Sequence, residues 1–98
     1  MATPMVFFRG ELPAAMTVAY TVPAGKKAAV TSIVATNPNA ATSMVSVNLG
    51  GFPCLAAVGI HVNGVLTLEI SQTLNEGDTI EVQGNSSPAI THISGVEF

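Results

Sequence analysis

The sequence predicts an all-β fold, a single antiparallel β-sandwich of about seven or eight short strands with jelly-roll or immunoglobulin-like topology. Three observations carry that expectation. Apolar and polar residues alternate with a period of two along most of the chain, and turn residues interrupt the alternation at short intervals. No segment sustains the apolar stripe of an amphipathic helix.

The elements follow in order. Met5-Val6-Phe7-Phe8, between Pro4 and Arg9-Gly10, is a short apolar run. It reads as an edge strand of the same domain or as an arm, residues 1–10, that adds to a neighbouring subunit. On the arm reading, a chain lacking residues 1–9 keeps a folded core. Met16, Val18, Tyr20 and Val22 alternate with Thr17, Ala19 and Thr21, which places the first set, Tyr20 included, on a buried face. Pro23-Ala24-Gly25-Lys26 is a turn, since Pro presets φ and Gly supplies positive φ. Lys27 to Thr36 is β-branched and apolar on both faces, as a central strand requires. Asn37-Pro38-Asn39 ends it.

Val45, Val47 and Leu49 then face one way, and Gly50-Gly51-Phe52-Pro53 breaks the strand. Ala56, Val58, Ile60 and Val62 alternate with Leu55, Ala57, Gly59 and His61, which reads as a strand with a helix as its competitor. Asn63-Gly64 between Val62 and Val65 predicts a two-residue hairpin, because both residues tolerate positive φ. Leu66, Leu68 and Ile70 point inward opposite Val65, Thr67 and Glu69. Asn75-Glu76-Gly77-Asp78 turns into a strand with Ile80 and Val82 inward, and Asp78 is expected to bond its own turn. A bulge near Ser94-Gly95 would align Ile93, Val96 and Phe98 on one face.

Composition limits the function classes. The 98 residues form one domain, 1–98, expected to expose roughly 5,200 Å² when folded. Hydrophobic residues make up 48% of the chain and charged ones only 9%. That excludes intrinsic disorder and argues against an ordinary dispersed monomer. Arg9, Lys26 and Lys27 are the only basic side chains, too few for electrostatic nucleic-acid binding. Residues 1–27 carry a net +2 and the remainder −5, while Ala28 to Leu68 carries no formal charge. Such a division could steer contacts between copies. Neither a targeting signal nor a membrane anchor is expected. Cys54, the single cysteine, reads as a small buried thiol.

Two stretches are familiar. Tyr20-Thr21-Val22-Pro23-Ala24-Gly25-Lys26 leads into Ala29-Val30-Thr31-Ser32-Ile33-Val34-Ala35-Thr36-Asn37. Leu74-Asn75-Glu76-Gly77-Asp78-Thr79-Ile80-Glu81-Val82 is followed by Ser94-Gly95-Val96-Glu97. Together they resemble a pattern in small β-sandwich virion proteins of tailed bacteriophages. Asn39 to Gly64 carries none of the resemblance. The resemblance implies a structural virion role, in capsid decoration or in the tail, with no catalytic residues to carry over.

The chemical inventory agrees with a non-enzymatic protein that needs no cofactor. His61 and His92 have no carboxylate close in sequence and no nucleophile elbow accompanies them, so both are expected at outward strand positions. His61, His92, Asp78 and Glu97 lack metal-ligand spacing, and Asn75 to Asp78 lacks the alternating oxygen ligands of a calcium loop. Gly50-Gly51 is not a phosphate loop. The expected role is therefore binding. The expected partners are the major capsid protein of a tailed phage and the chain itself as a homotrimer, on the virion surface, after synthesis in the host cytoplasm. No nucleic acid or membrane partner is expected. Phe7, Phe8 and Phe98 are the expected apolar anchors, with Arg9, Lys26 and Lys27 meeting acidic surface. The alternative is a tail, baseplate or fibre component that binds a receptor or carbohydrate; weak aromatic supply, with no Trp and one Tyr, counts against it.

Overall fold

A computed structural model describes residues 3–98. Its eight strands are β1 (Thr3–Glu11), β2 (Thr17–Thr21), β3 (Ala28–Thr36), β4 (Ser43–Leu49), β5 (Phe52–Ile60), β6 (Val65–Leu74), β7 (Thr79–Gln83) and β8 (Ile90–Glu97). They form two antiparallel four-stranded sheets, ordered β1-β8-β3-β6 and β2-β7-β4-β5. No helix occurs among the described residues. Each strand pairs with its mirror partner in chain order: β1 with β8, β2 with β7, β3 with β6, β4 with β5. Pairings β3·β8 and β4·β7 complete the sheets. This is the strand order of a jelly roll, not of an immunoglobulin domain.

The order follows from where the chain can turn within a sheet. Gly50 and Gly51 have φ of 60° and 83°, and Leu49 pairs directly with Phe52. That is a two-residue hairpin of the kind whose twist matches its strands. Every other connection crosses between sheets. The expected hairpin at Asn63-Gly64 is therefore corrected: β5 and β6 lie in different sheets, and Asn63, at φ 60°, turns the chain across the gap.

Asn37 holds that crossing. Its side chain is buried, and its two amide hydrogens are shared among the carbonyls of Ala41 (2.8 Å), Ile60 (2.9 Å) and His61 (3.1 Å). Its backbone N–H donates to Gly64 and its carbonyl accepts from Asn63. These bonds tie the end of β3 to the β5–β6 turn.

The core is aliphatic, centred on Ile33, Ile80 and Ile93 with Val30, Val45, Val47 and Val82. Val45 and Val47, the inward side of β6, and Ile80 with Val82 face it as the alternation predicts. Bulges account for the departures. An extra residue at Ala19 shifts the phase of β2, so Val18 is 51% exposed and Met16 also faces solvent. In β5, Ala56 and Ala57 together oppose Ser46, whose hydroxyl accepts from Ala57 N, and Ala57 has φ 51°. Leu55, Val58 and Ile60 therefore pack inward while Ala56 stays exposed; Val62 is exposed because β5 ends at Ile60 and Val62 lies in the turn that follows. Cys54, passed over in the same register, is half-buried, not buried.

The bulge expected at Ser94-Gly95 also lies elsewhere. β8 runs without an extra residue; its neighbours carry them, at Phe7 in β1 and Thr31 in β3. Gly95 serves a different purpose, because a Cβ there would overlap the Ala29 carbonyl and come within 2.9 Å of the Phe7 ring. The exposed area is 5141 Å², as expected for a folded chain of this size.

Two substitutions test this account. Gly95→Ala should overpack the site by about 1–3 kcal/mol and lower the melting temperature by roughly 5–20 °C in a thermal scan. Asn37→Ala leaves three carbonyls without their donor; urea unfolding should show a loss of about 2–4 kcal/mol.

Candidate partner-binding surface

The sandwich measures 43 × 21 × 17 Å, and its two poles differ in character. One pole gathers the turns Pro23–Lys27, Gly50–Gly51 and Asn75–Asp78 with the end of β8. Phe98 and Lys27 exchange backbone hydrogen bonds of 2.8 Å there, extending β8 beyond Glu97. Glu76 accepts from Gly25 N at 3.2 Å, and Asp78 accepts from Asn75 N at 2.9 Å, closing its own turn as expected. This pole holds Lys26, Lys27, Glu76 and Asp78, with Phe52 at the hairpin tip 76% exposed.

The opposite pole consists of residues 12–16, 37–42, 61–64 and 84–89, which contain no formal charge. Its loops are bonded to one another. Asn39 donates to Pro88 O, Asn85 to Thr42 O, Gln83 to Ala14 O and Ser43 to Ser87 O. Sequence reading missed this pole as a unit. Its only signal was the density of Asn, Ser and Pro between strands, which is ordinary turn grammar.

The residues expected to meet partners do not form one patch. Phe7 is corrected: it is 5% exposed, and its ring lies against Tyr20 with centroids 4.6 Å apart, so it belongs to the core. Phe8 pairs with Ile93 and packs inward, half-buried. Arg9, Lys26, Lys27 and Phe98 are exposed. Lys26, Lys27 and Phe98 share the charged pole, whereas Arg9 lies on the outer face of β1, six residues from Thr3 and so about 20 Å along the strand. β1 is an edge strand paired with β8, the first of the two expected readings; residues 1 and 2 of the proposed arm lie outside the described residues. Because Phe7 is in the core, loss of residues 1–9 would also remove part of that core.

Arg9 Nε donates to His92 Nδ1 at 3.1 Å. His92 thus sits outward on β8 as expected, but His61 is in the exposed turn after β5 and not on a strand. Among the described residues there is no cavity, and no group of three or more His, Cys, Asp and Glu side chains is placed to hold a metal ion. The molecule offers faces, edges and poles.

One buried polar link joins the sheets. Tyr20 on β2 is half-buried, and its hydroxyl donates to Glu97 Oε2 on β8 at 2.6 Å. Burial first, then the Glu97 hydrogen bond and the carboxylate's charge, push the phenol up to about 12.

No family model matches the sequence, and no curated protein is similar enough to match it.

Tyr20 is the only tyrosine and the chain has no tryptophan, so phenolate absorbance reports it alone. Alkaline titration of the folded protein should give a midpoint near 12, and Glu97→Gln should lower it part of the way, since burial remains. The unfolded chain ionises near 10. The stabilisation that accompanies this shift is therefore complete below pH 10 and is lost as pH rises through 12, which urea unfolding across that window would show.

Proposed function

We propose that this protein is a non-enzymatic structural component of a tailed-bacteriophage virion. In this reading it decorates the outside of the capsid as a homotrimer bound to the major capsid protein. The observation that carries the reading is the surface, 5141 Å² with nine formally charged side chains and one pole without any. Such a surface favours burial against partners. The resemblance of residues 20–37 and 74–82 to small phage virion sandwiches supports the same class. Jelly rolls serve in viral capsids and also in lectins and cupins, so the fold is compatible with this role without selecting it.

A decorating protein would act by mass action. Binding the assembled shell more tightly than loose subunits stabilises the shell. A trimer at a local three-fold junction repeats each contact, and repetition multiplies modest affinities. Lys26, Lys27 and Phe98, adjacent at the charged pole, supply a basic and apolar contact for an acidic capsid surface.

A second reading rests on Phe52. At 76% exposure on a glycine hairpin tip, it offers the aromatic platform that a carbohydrate-binding fibre or tail component needs.

Heat challenge of phage particles with and without the protein separates the readings. Decoration predicts that added protein raises the temperature of genome release, with hundreds of copies bound per particle. A monomer that leaves particle stability unchanged would remove the decoration reading. A saturable glycan interaction lost in Phe52→Ala would put the second reading in its place.

A further inference from the structure

The two edges of the first sheet are complementary to one another. In the order β1-β8-β3-β6 every neighbour is antiparallel, so β1 and β6 run in opposite directions. A second copy set beside the first in the same orientation presents its β1 antiparallel to the first copy's β6. The strands are nine and ten residues long.

Charge singles out this seam. Arg9 is exposed on the outer face of β1 and Glu69 is exposed on the outer face of β6. Arg9 aligns with His92, Val34 and Thr67, and Glu69 aligns with Ser32, Ser94 and Val6. The two residues thus occupy successive outward rows, diagonal neighbours across a β6–β1 seam and within reach of long side chains. His92 accepts from Arg9 Nε, and the terminal amino groups of the guanidinium make no hydrogen bond among the described residues. A seam of β6 with β6 would gather two copies of Glu69, which like charge disfavours. β1 carries exposed Glu11 two residues from Arg9 on the same face, so a β1–β1 seam is told apart by its indifference to Glu69→Arg. In the other sheet β2 has only five residues, and β5 carries Pro53 and register breaks at Cys54 and Ala57; the proline and register breaks of β1 and β6 lie outside Phe8–Glu11 and Val65–Leu68.

We infer that this protein self-associates head to tail, with Val65–Leu68 of β6 pairing Phe8–Glu11 of β1 in a second copy and Glu69 meeting Arg9 diagonally across the seam. Such a contact uses two different surfaces of each protomer, so it forms a closed ring where the rotation between copies completes a circle and an open filament where it does not. Three copies would join their first sheets into one continuous wall. Val65, 61% exposed at the β6 edge, becomes covered there. The inference deepens the self-association in the proposed function and names its surface.

Sedimentation of the purified full chain in low salt tests it without any phage particle. The expected result is a wild-type oligomer, with Arg9→Glu and Glu69→Arg each weakening association about tenfold per contact and the Arg9→Glu/Glu69→Arg double variant restoring it. Tyr20 titration near 12 confirms that each variant is folded. A monomeric wild type, single variants that keep the wild-type mass, or a Glu69→Ala chain that associates more tightly would each overturn the inference. Shell stabilisation with a mass insensitive to both substitutions would overturn the seam alone; a charge-sensitive oligomer that leaves shells unstabilised would uphold the seam and remove the capsid reading.

Discussion

The fold depends on a single turn that stays within a sheet. Gly50 and Gly51 reverse the chain near its midpoint, and the two halves then pair strand by strand outward from that tip. A side chain at either position would have to adopt a φ that costs L-residues free energy. Once β4 and β5 are paired, each later strand continues beside its mirror partner, and wrapping the resulting ribbon buries one face of each sheet.

Wrapping requires the ribbon to bend, and the bends are placed where they can be filled. Phe7 and Thr31 are extra residues on either side of the unbulged β8. The Phe7 ring lies over Gly95 and against Tyr20, so an aromatic group occupies the space that a missing side chain leaves. Tyr20 in turn reaches back to Glu97, giving the β1–β2 side a polar link between sheets. At the far pole Asn37 fixes the β5–β6 turn by donating to the carbonyls of Ala41, Ile60 and His61.

Much of this was legible in the sequence. Period-two alternation identified the inward sides of β4, β6 and β7, because each keeps its phase over the residues that were read, and a run apolar on both faces placed β3 at the centre despite its bulge at Thr31. Asp78 was readable from local turn chemistry. The errors share one cause. Local signals do not say which strands pair, so Asn63-Gly64 and Gly50-Gly51 looked alike as turn residues while only the second joins partners in a sheet. A bulge is likewise invisible to alternation until the opposite strand is known, which is why Met16 and Val18 were assigned inward. Phe7 was read from an apolar run at the chain's start, where an edge strand and an external anchor have the same composition. The β1 and β6 edges could not be related before the strand order was known, since Arg9 and Glu69 are sixty residues apart.

Pairing β1 with β8 also governs how the protein is made. Of the eight strands β1 is synthesised first and its partner β8 last, so β1 and its Phe7 ring stay unpaired until the other seven have been made. Contacts this distant along the chain make for slow closure, because loop entropy must be overcome before the final pairing repays it. With nine charged side chains among 98 residues, the nascent chain has little protection against association during that wait. Translation pauses before β8 would prolong that exposure.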